Sequence, residues 1–106
     1  NLAHRGSLAI CVDIVGYVGP HETAFLEGAC WALAVFLRSR HQGAVIWHEP
    51  VIGHLFIVKD GVGYDARGVI DIPSNAVTDI SPRALSQMRR SARRKLIQIG
   101  HWDRIL

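Results

Sequence analysis

Three residues in the middle of the chain have side chains that together could carry out nucleophilic chemistry: Cys30, His54 and Asp65. A cysteine thiolate attacks carbonyl carbons, and an imidazole can take the thiol proton and pass it to a leaving group. A carboxylate can fix the tautomer and the orientation of that imidazole. Such a set would act on amide or ester bonds, provided that the elements carrying the three side chains bring them together.

Cys30 falls in the first turn of the clearest predicted helix, residues 29–40 (ACWALAVFLRSR). Unpaired N–H groups and the helix dipole stabilise a thiolate at a helix N-terminus, which suits a nucleophile. The competing interpretation is a small apolar side chain on the core face, because Cys30, Leu33 and Leu37 recur at spacings of three and four. The helix therefore allows a nucleophile at residue 30 without requiring one.

His54 and Asp65 lie on either side of a strong turn signal, Asp60-Gly61, between predicted strands at 53–59 and 64–66. With a two-residue loop, Asp65 is diagonal to His54 on the same face of the hairpin. A four-residue loop places it two pairs away, where contact needs sheet twist or a water, and a three-residue loop places it on the opposite face. These registers remain open from the sequence.

The other segments complete a predicted α+β fold with an antiparallel sheet. Residues 7–18, rich in Ile and Val, are predicted as a strand or as two extended pieces, and residues 44–47 and 69–72 as short strands. Ser81-Pro82 predicts the start of a last, amphipathic helix that runs to about residue 99. Because the strands cluster after the first helix instead of alternating with helices, a doubly wound sheet is not expected.

The composition of the 106 residues, 49% hydrophobic and 20% charged, suits one globular domain. No stretch approaches the ~20 apolar residues of a membrane helix, so no membrane association is expected. The six histidines show no spacing typical of a metal site, and neither a metal nor another cofactor is expected. The net charge of +3 reflects an excess of cations near the C-terminus.

These cations suggest an alternative function, a non-catalytic binding module. The last helix would carry a row of basic residues: Arg89, Arg90, Arg93, Arg94 and Lys95. Such a row attracts the phosphates of nucleic acid or the carboxylates of an acidic partner protein. The solvated outer face of an amphipathic helix explains the same residues, so nucleic-acid binding is not favoured.

Two segments resemble papain-like cysteine proteases. Gly28-Ala29-Cys30-Trp31-Ala32 resembles their nucleophile segment, in which a Cys-Trp-Ala step opens the central helix. Residues 53–68 (GHLFIVKDGVGYDARG) resemble the compact bacterial and phage members of the superfamily, in which a histidine starts a strand, a turn follows, and a Tyr-Asp pair leads to a glycine. The resemblance covers about residues 24–72.

The resemblance implies a single papain-like domain over residues 1–106, with the nucleophile helix packed on a small antiparallel sheet. It implies Cys30 as nucleophile, His54 as general base and acid, and Asp65 as the orienting residue. The expected activity is that of a thiol hydrolase (protease, amidase or deamidase) or a transferase, acting on a protein or peptide-like amide. A cytoplasmic enzyme, a toxin domain or a phage protein is expected, or a delivered effector if the chain, which begins with Asn1, is excised from a longer one.

The sequence also departs from the papain pattern. Residues 23–27 contain no glutamine, although papain has one a few residues before its cysteine that helps form the oxyanion hole. Another group would then have to act beside the backbone N–H of Cys30. Trp31 and Trp47 are predicted to contact substrate, with core packing as the alternative. A papain-like scaffold with an unreactive cysteine, used only for binding, is a third interpretation.

Overall fold

The computed structural model describes residues 6–101 and shows an α+β fold of helices packed on an antiparallel sheet. The predicted fold class is therefore confirmed. The elements within this range are α1 (Leu8–Val18), α2 (Glu22–Leu26), α3 (Cys30–Arg40), β1 (Val45–Glu49), β2 (His54–Lys59), β3 (Val62–Asp65), β4 (Gly68–Ile70) and α4 (Pro82–Gln98).

The first element is a helix, so the prediction of extended structure at residues 7–18 is wrong. The Ser7 side chain accepts a hydrogen bond from the backbone N–H of Ile10 at 3.3 Å, which caps α1. The buried side chains Ile10, Ile14 and Tyr17 follow the helical spacing of four and three, and α1 packs against α3. Long-range packing and the cap outweigh the preference of Ile and Val for extended backbone.

The sheet has the strand order β1-β2-β3-β4, and each neighbouring pair within it is antiparallel. Lys59 pairs with Val62, so the β2–β3 loop consists of Asp60 and Gly61 alone. Both loop residues have positive φ, 52° and 76°, as a type I′ turn requires. The two-residue register is therefore the one the protein adopts.

Helix α3 lies at the centre of the molecule, in contact with the sheet and with the other helices. Leu37 of α3, Phe25 of α2 and Ile57 of β2 have no exposed surface, and they form one core with the buried face of α1. The predicted start of α4 is confirmed, because Ser81 caps it by accepting from Ala84 N–H at 3.1 Å. Within residues 6–101 no helix has the length and apolarity needed to cross a membrane.

Candidate active site

His54 and Asp65 form a buried pair on the β2–β3 hairpin. The ladder pairs Ile57 with Tyr64, and one step further along the same register Asp65 lies opposite Phe56, diagonal to His54. The Nε2 atom of His54 lies 2.9 Å from Oδ2 of Asp65. Because an ionised carboxylate can only accept, Nε2–H is the donor. The two-residue turn thus produces the contact between imidazole and carboxylate.

The Asp65 carboxylate receives further hydrogen bonds from Arg67. The backbone N–H of Arg67 donates to Oδ1 at 2.8 Å, and its guanidinium Nη2 donates to Oδ2 at 2.6 Å. Burial alone would raise the pKa of Asp65, but the hydrogen bonds from His54 and Arg67 outweigh it and lower the pKa to about 2. Asp65 is therefore ionised at neutral pH although its side chain is almost completely buried.

His54 is held in its charged form by its neighbours. Burial by itself lowers the pKa of His54, but the hydrogen bond to Asp65 and the interactions with the Cys30 thiol outweigh burial and raise the pKa to about 9. The imidazole is therefore protonated at neutral pH. Because the Nε2–H group of His54 donates to Asp65, Nδ1 is the ring nitrogen that is available to Cys30.

Cys30 is the first residue of α3 and lies beside the start of β2. The backbone N–H of Leu55, the residue after His54, donates to the Cys30 sulfur at 3.5 Å. Cys30 is also buried with Leu33 and Leu37, as the core interpretation of the helix face predicts. The thiol thus belongs to the core on one side and faces the hairpin on the other.

Cys30 and His54 line the same cleft, which has a volume of about 460 Å³. Its walls come from the α2–α3 turn, the β1–β2 loop and α4, and their contributions include Leu26, Ile52 and Met88. Apolar side chains therefore lie beside a thiol and a charged imidazole, and the polar residues Glu27 and Ser91 complete the lining. Such a mixture of apolar side chains with a few convergent polar groups is typical of a small-molecule site.

The β1–β2 loop that enters the cleft is anchored by Glu49. This buried carboxylate accepts hydrogen bonds from the backbone N–H groups of Val51 at 3.1 Å and Ile52 at 2.7 Å, and from the side chain of Asn75. The bond from Ile52 is the main reason that the pKa of Glu49 is lowered. Sequence reasoning missed Glu49, because the side chains that usually cap turns in this way are those of Asp, Asn, Ser and Thr.

Helix α4 closes the cleft over the turn that leads into α3. A Cβ atom added at Gly28 would lie 3.2 Å from Lys95 Cε and 3.5 Å from Ser91 Oγ. The φ of Gly28 is +128°, so glycine suits both the backbone and the close approach. The Ser91 hydroxyl therefore lies near the turn that precedes Cys30, and nothing in the sequence around Ser91 pointed to this position.

The two tryptophans predicted to contact substrate are half-buried outside the set of side chains that line the cleft. Trp31 packs against the core, and the Arg89 guanidinium lies 5.8 Å from the centre of its ring. Trp47 is paired with Phe56 in the sheet. Substrate contact by either indole stays a prediction.

The basic residues of α4 project mostly into solvent. Arg89, Arg90, Arg93 and Arg94 are exposed, whereas Lys95 is half-buried beside Gly28. The helix contains no acidic residue, and no partner in the described part of the chain forms an ion pair with it. Likewise, residues 6–101 contain no group of three or more His, Cys, Asp or Glu side chains that could hold a metal ion.

Comparison of the chain with known protein families, with curated proteins and with solved structures finds no match.

Proposed function

We propose that the protein is a papain-like thiol hydrolase that acts on an amide or ester bond through Cys30, His54 and Asp65. The observation that carries this proposal is the buried His54–Asp65 hydrogen bond of 2.9 Å at a cleft whose wall includes the Cys30 thiol. Separate elements supply the three groups, a helix start and two paired strands, and all three side chains are buried.

The reaction follows from the charges at the site. The Cys30 thiol transfers its proton to His54, and the imidazolium keeps this proton at neutral pH because its pKa is about 9, so that it pairs with the Cys30 thiolate. The thiolate sulfur bonds to the carbonyl carbon, and the electron pair of the C=O bond moves to the oxygen. As this pair returns, the C–N or C–O bond breaks and the leaving group takes the His54 proton.

The remaining thioester is resolved by the same residues. His54, now neutral, takes a proton from water or from another acceptor, whose oxygen or nitrogen attacks the thioester carbon. The carbon–sulfur bond then breaks, and the Cys30 sulfur leaves with the electron pair as a thiolate beside the reprotonated imidazole. Asp65 keeps its charge throughout and stabilises the imidazolium each time it forms.

The oxyanion would be stabilised at the start of α3. As the first helical residue, Cys30 has a backbone N–H without an intrahelical acceptor, so this group can donate to an oxyanion. Ser91, whose hydroxyl lines the cleft and lies close to Gly28, is our candidate for the second donor. A hydroxyl from α4 would then replace the glutamine that the segment before Cys30 does not contain.

The test is the rate at which iodoacetamide alkylates each cysteine at pH 6, followed by mass spectrometry. In wild type we expect Cys30 to react faster than Cys11, a half-buried cysteine of α1 that serves as internal reference. His54→Ala should slow the reaction of Cys30 by about tenfold or more, because it removes the imidazolium that stabilises the thiolate, and should leave Cys11 unchanged.

The matched control is His41→Ala. His41 is also bonded to a carboxylate, with its Nε2 2.7 Å from Oδ2 of Asp13, but it does not line the cleft. This variant should alkylate like wild type. Equal rates for Cys30 in wild type and His54→Ala would contradict the proposal, because the site would then contain no coupled thiol and imidazole.

A second candidate function is the binding of an acidic partner by α4. Four exposed arginines without ion pairs in the described chain favour it, because a cationic helix face attracts carboxylates and phosphates. Fluorescence anisotropy with a polyglutamate peptide and with a duplex oligonucleotide at low salt tests it. Binding that is lost in Arg90→Glu/Arg94→Glu would support this function, and no binding to either probe would reject it.

A further inference from the structure

Arg67 follows the β2–β3 hairpin and donates hydrogen bonds to the Asp65 carboxylate. The same carboxylate accepts the hydrogen bond of the His54 imidazole. We propose that Arg67 is a positioning residue of the thiol site, which fixes the Asp65 carboxylate in the orientation that directs His54 toward Cys30. This inference rests on the proposed function, since it assigns the positioning role within the same site. Arg67 itself acts only through Asp65.

Arg67 donates hydrogen bonds to both oxygen atoms of the Asp65 carboxylate. Its Nη2 lies 2.6 Å from Oδ2, its Nε lies 3.2 Å from each oxygen, and its backbone N–H lies 2.8 Å from Oδ1. These donors prevent rotation of the carboxylate about its last torsion. Oδ2 is thereby kept 2.9 Å from Nε2 of His54, so the remaining nitrogen, Nδ1, is the one left for Cys30.

The contacts between Arg67 and Asp65 form within the turn that joins β3 to β4. Asp65 pairs with Gly68, so Ala66 and Arg67 alone form the loop. The backbone N–H of Arg67 is then two residues from the Asp65 side chain, where an aspartate commonly accepts a turn hydrogen bond. The side chain of the same residue folds back onto the same carboxylate, so within residues 6–101 Arg67 supplies every donor to Asp65 other than His54.

The contact between Arg67 and Asp65 differs from an ordinary surface ion pair, because only one of the two side chains is exposed. The Arg67 side chain is 55% exposed, whereas that of Asp65 is 2% exposed. Exposed ion pairs usually contribute little to stability, but a half-exposed guanidinium that holds a buried carboxylate decides where that carboxylate points. Glu22 of α2 also contributes, after Asp65, to the raised pKa of Arg67.

Two possible effects of Arg67 have opposite signs, and this makes the role testable. If Arg67 only withdrew charge from Oδ2, its removal would strengthen the hydrogen bond that His54 donates to Asp65. If Arg67 orients the carboxylate, its removal weakens that bond. Lysine keeps the charge but lacks the planar fork that contacts two oxygens at once, so Arg67→Lys separates orientation from charge.

The experiment compares Arg67→Lys and Arg67→Gln with wild type and with Arg38→Gln, a control at an exposed arginine near the end of α3. One readout is the nitrogen-15 and proton NMR signal of the His54 Nε2–H group. The other is the rate of Cys30 alkylation by iodoacetamide at pH 6. Circular dichroism confirms that each variant is folded.

We expect both Arg67 variants to lose or broaden the Nε2–H signal and to alkylate Cys30 about tenfold more slowly, because small misplacements at a reacting group have effects of this size. Arg38→Gln should match wild type. An unchanged signal and rate in Arg67→Lys would overturn the inference, and so would a sharper signal and faster alkylation in Arg67→Gln.

The two readouts also separate this inference from the proposed function. If Cys30 is inert in wild type, the proposed thiol chemistry fails, and the alkylation rates carry no information on Arg67. The Nε2–H signal still reports whether Arg67 fixes the pair of Asp65 and His54. A signal that does not depend on Arg67 overturns the positioning role even if Cys30 is reactive.

Discussion

The stability of the fold should decrease as the pH rises through the pKa of His54. The pKa of this residue is about 9 in the folded protein, against an ordinary value of 6.5. A raised pKa means that the folded state binds the proton more tightly than the unfolded state does. The resulting stabilisation is fully present below pH 6.5 and is lost as the pH approaches 9. A change of one in pKa corresponds to about 1.4 kcal/mol, so the loss should be about 3 kcal/mol.

Urea unfolding of wild type and His54→Asn, measured at several values between pH 6 and 9, provides the assay. The free energy of unfolding of wild type should fall relative to that of the variant across this range. His48→Asn is the matched control, because burial lowers the pKa of His48. Its imidazole is therefore neutral in both states above about pH 7.5, and between pH 7.5 and 9 this variant should show the same pH dependence as wild type.

A wild-type free energy of unfolding that stays constant from pH 6.5 to 9 would refute the reasoning about His54. The same decrease in wild type and in His54→Asn would also refute it, because other groups would then be responsible. Nitrogen-15 NMR titration of His54 checks the cause directly. A His54 that titrates near 6.5 would show that its carboxylate and thiol neighbours do not hold the proton.

Two further predictions concern the elements that carry the site, and both use the free energy of unfolding from urea titration. Ser81→Ala should destabilise the protein by about 1 kcal/mol, because Ser81 caps α4, whereas Ser86→Ala on the exposed side of the same helix should have almost no effect. Equal effects would show that the cap is unimportant. Gly61→Ala should cost about 1–2 kcal/mol, because Gly61 has a φ of +76°, whereas Gly16→Ala within α1 should stabilise by about 0.5–1 kcal/mol. A neutral Gly61→Ala would contradict the assigned turn.

The turn of the hairpin, helix α3 before it and helix α4 after it could be predicted from sequence because their signals are local. Asp60-Gly61 predicts a tight turn between the two strands, and the two-residue loop that the structure shows there places Asp65 diagonal to His54. The predicted helix at residues 29–40 begins at Cys30 in the structure and ends at Arg40 as expected. In each case the residues that decide the structure are close neighbours in the chain.

Helix α1 could not be recognised by the same reasoning. Its exposed face is also apolar, with Leu8, Val12 and Val15 in solvent, so apolar residues occupy both faces of the helix. The helical period of the buried residues is hidden in such a sequence, and the β-branched composition then favours a strand. Packing of α1 on α3 reverses this preference, and that contact involves residues far apart in the chain.

The sequence by itself determined the α+β class, the helix that carries Cys30 and the turn at Asp60-Gly61 between the strands of His54 and Asp65. Tertiary structure alone decided that Cys30 lies beside the start of β2 and that Ser91 lies beside Gly28. It also decided which residues line the cleft. The physical reason is the range of the interactions. Turns and helix starts depend on hydrogen bonds between residues a few positions apart, whereas the cleft depends on how α2, α4 and the sheet pack around α3.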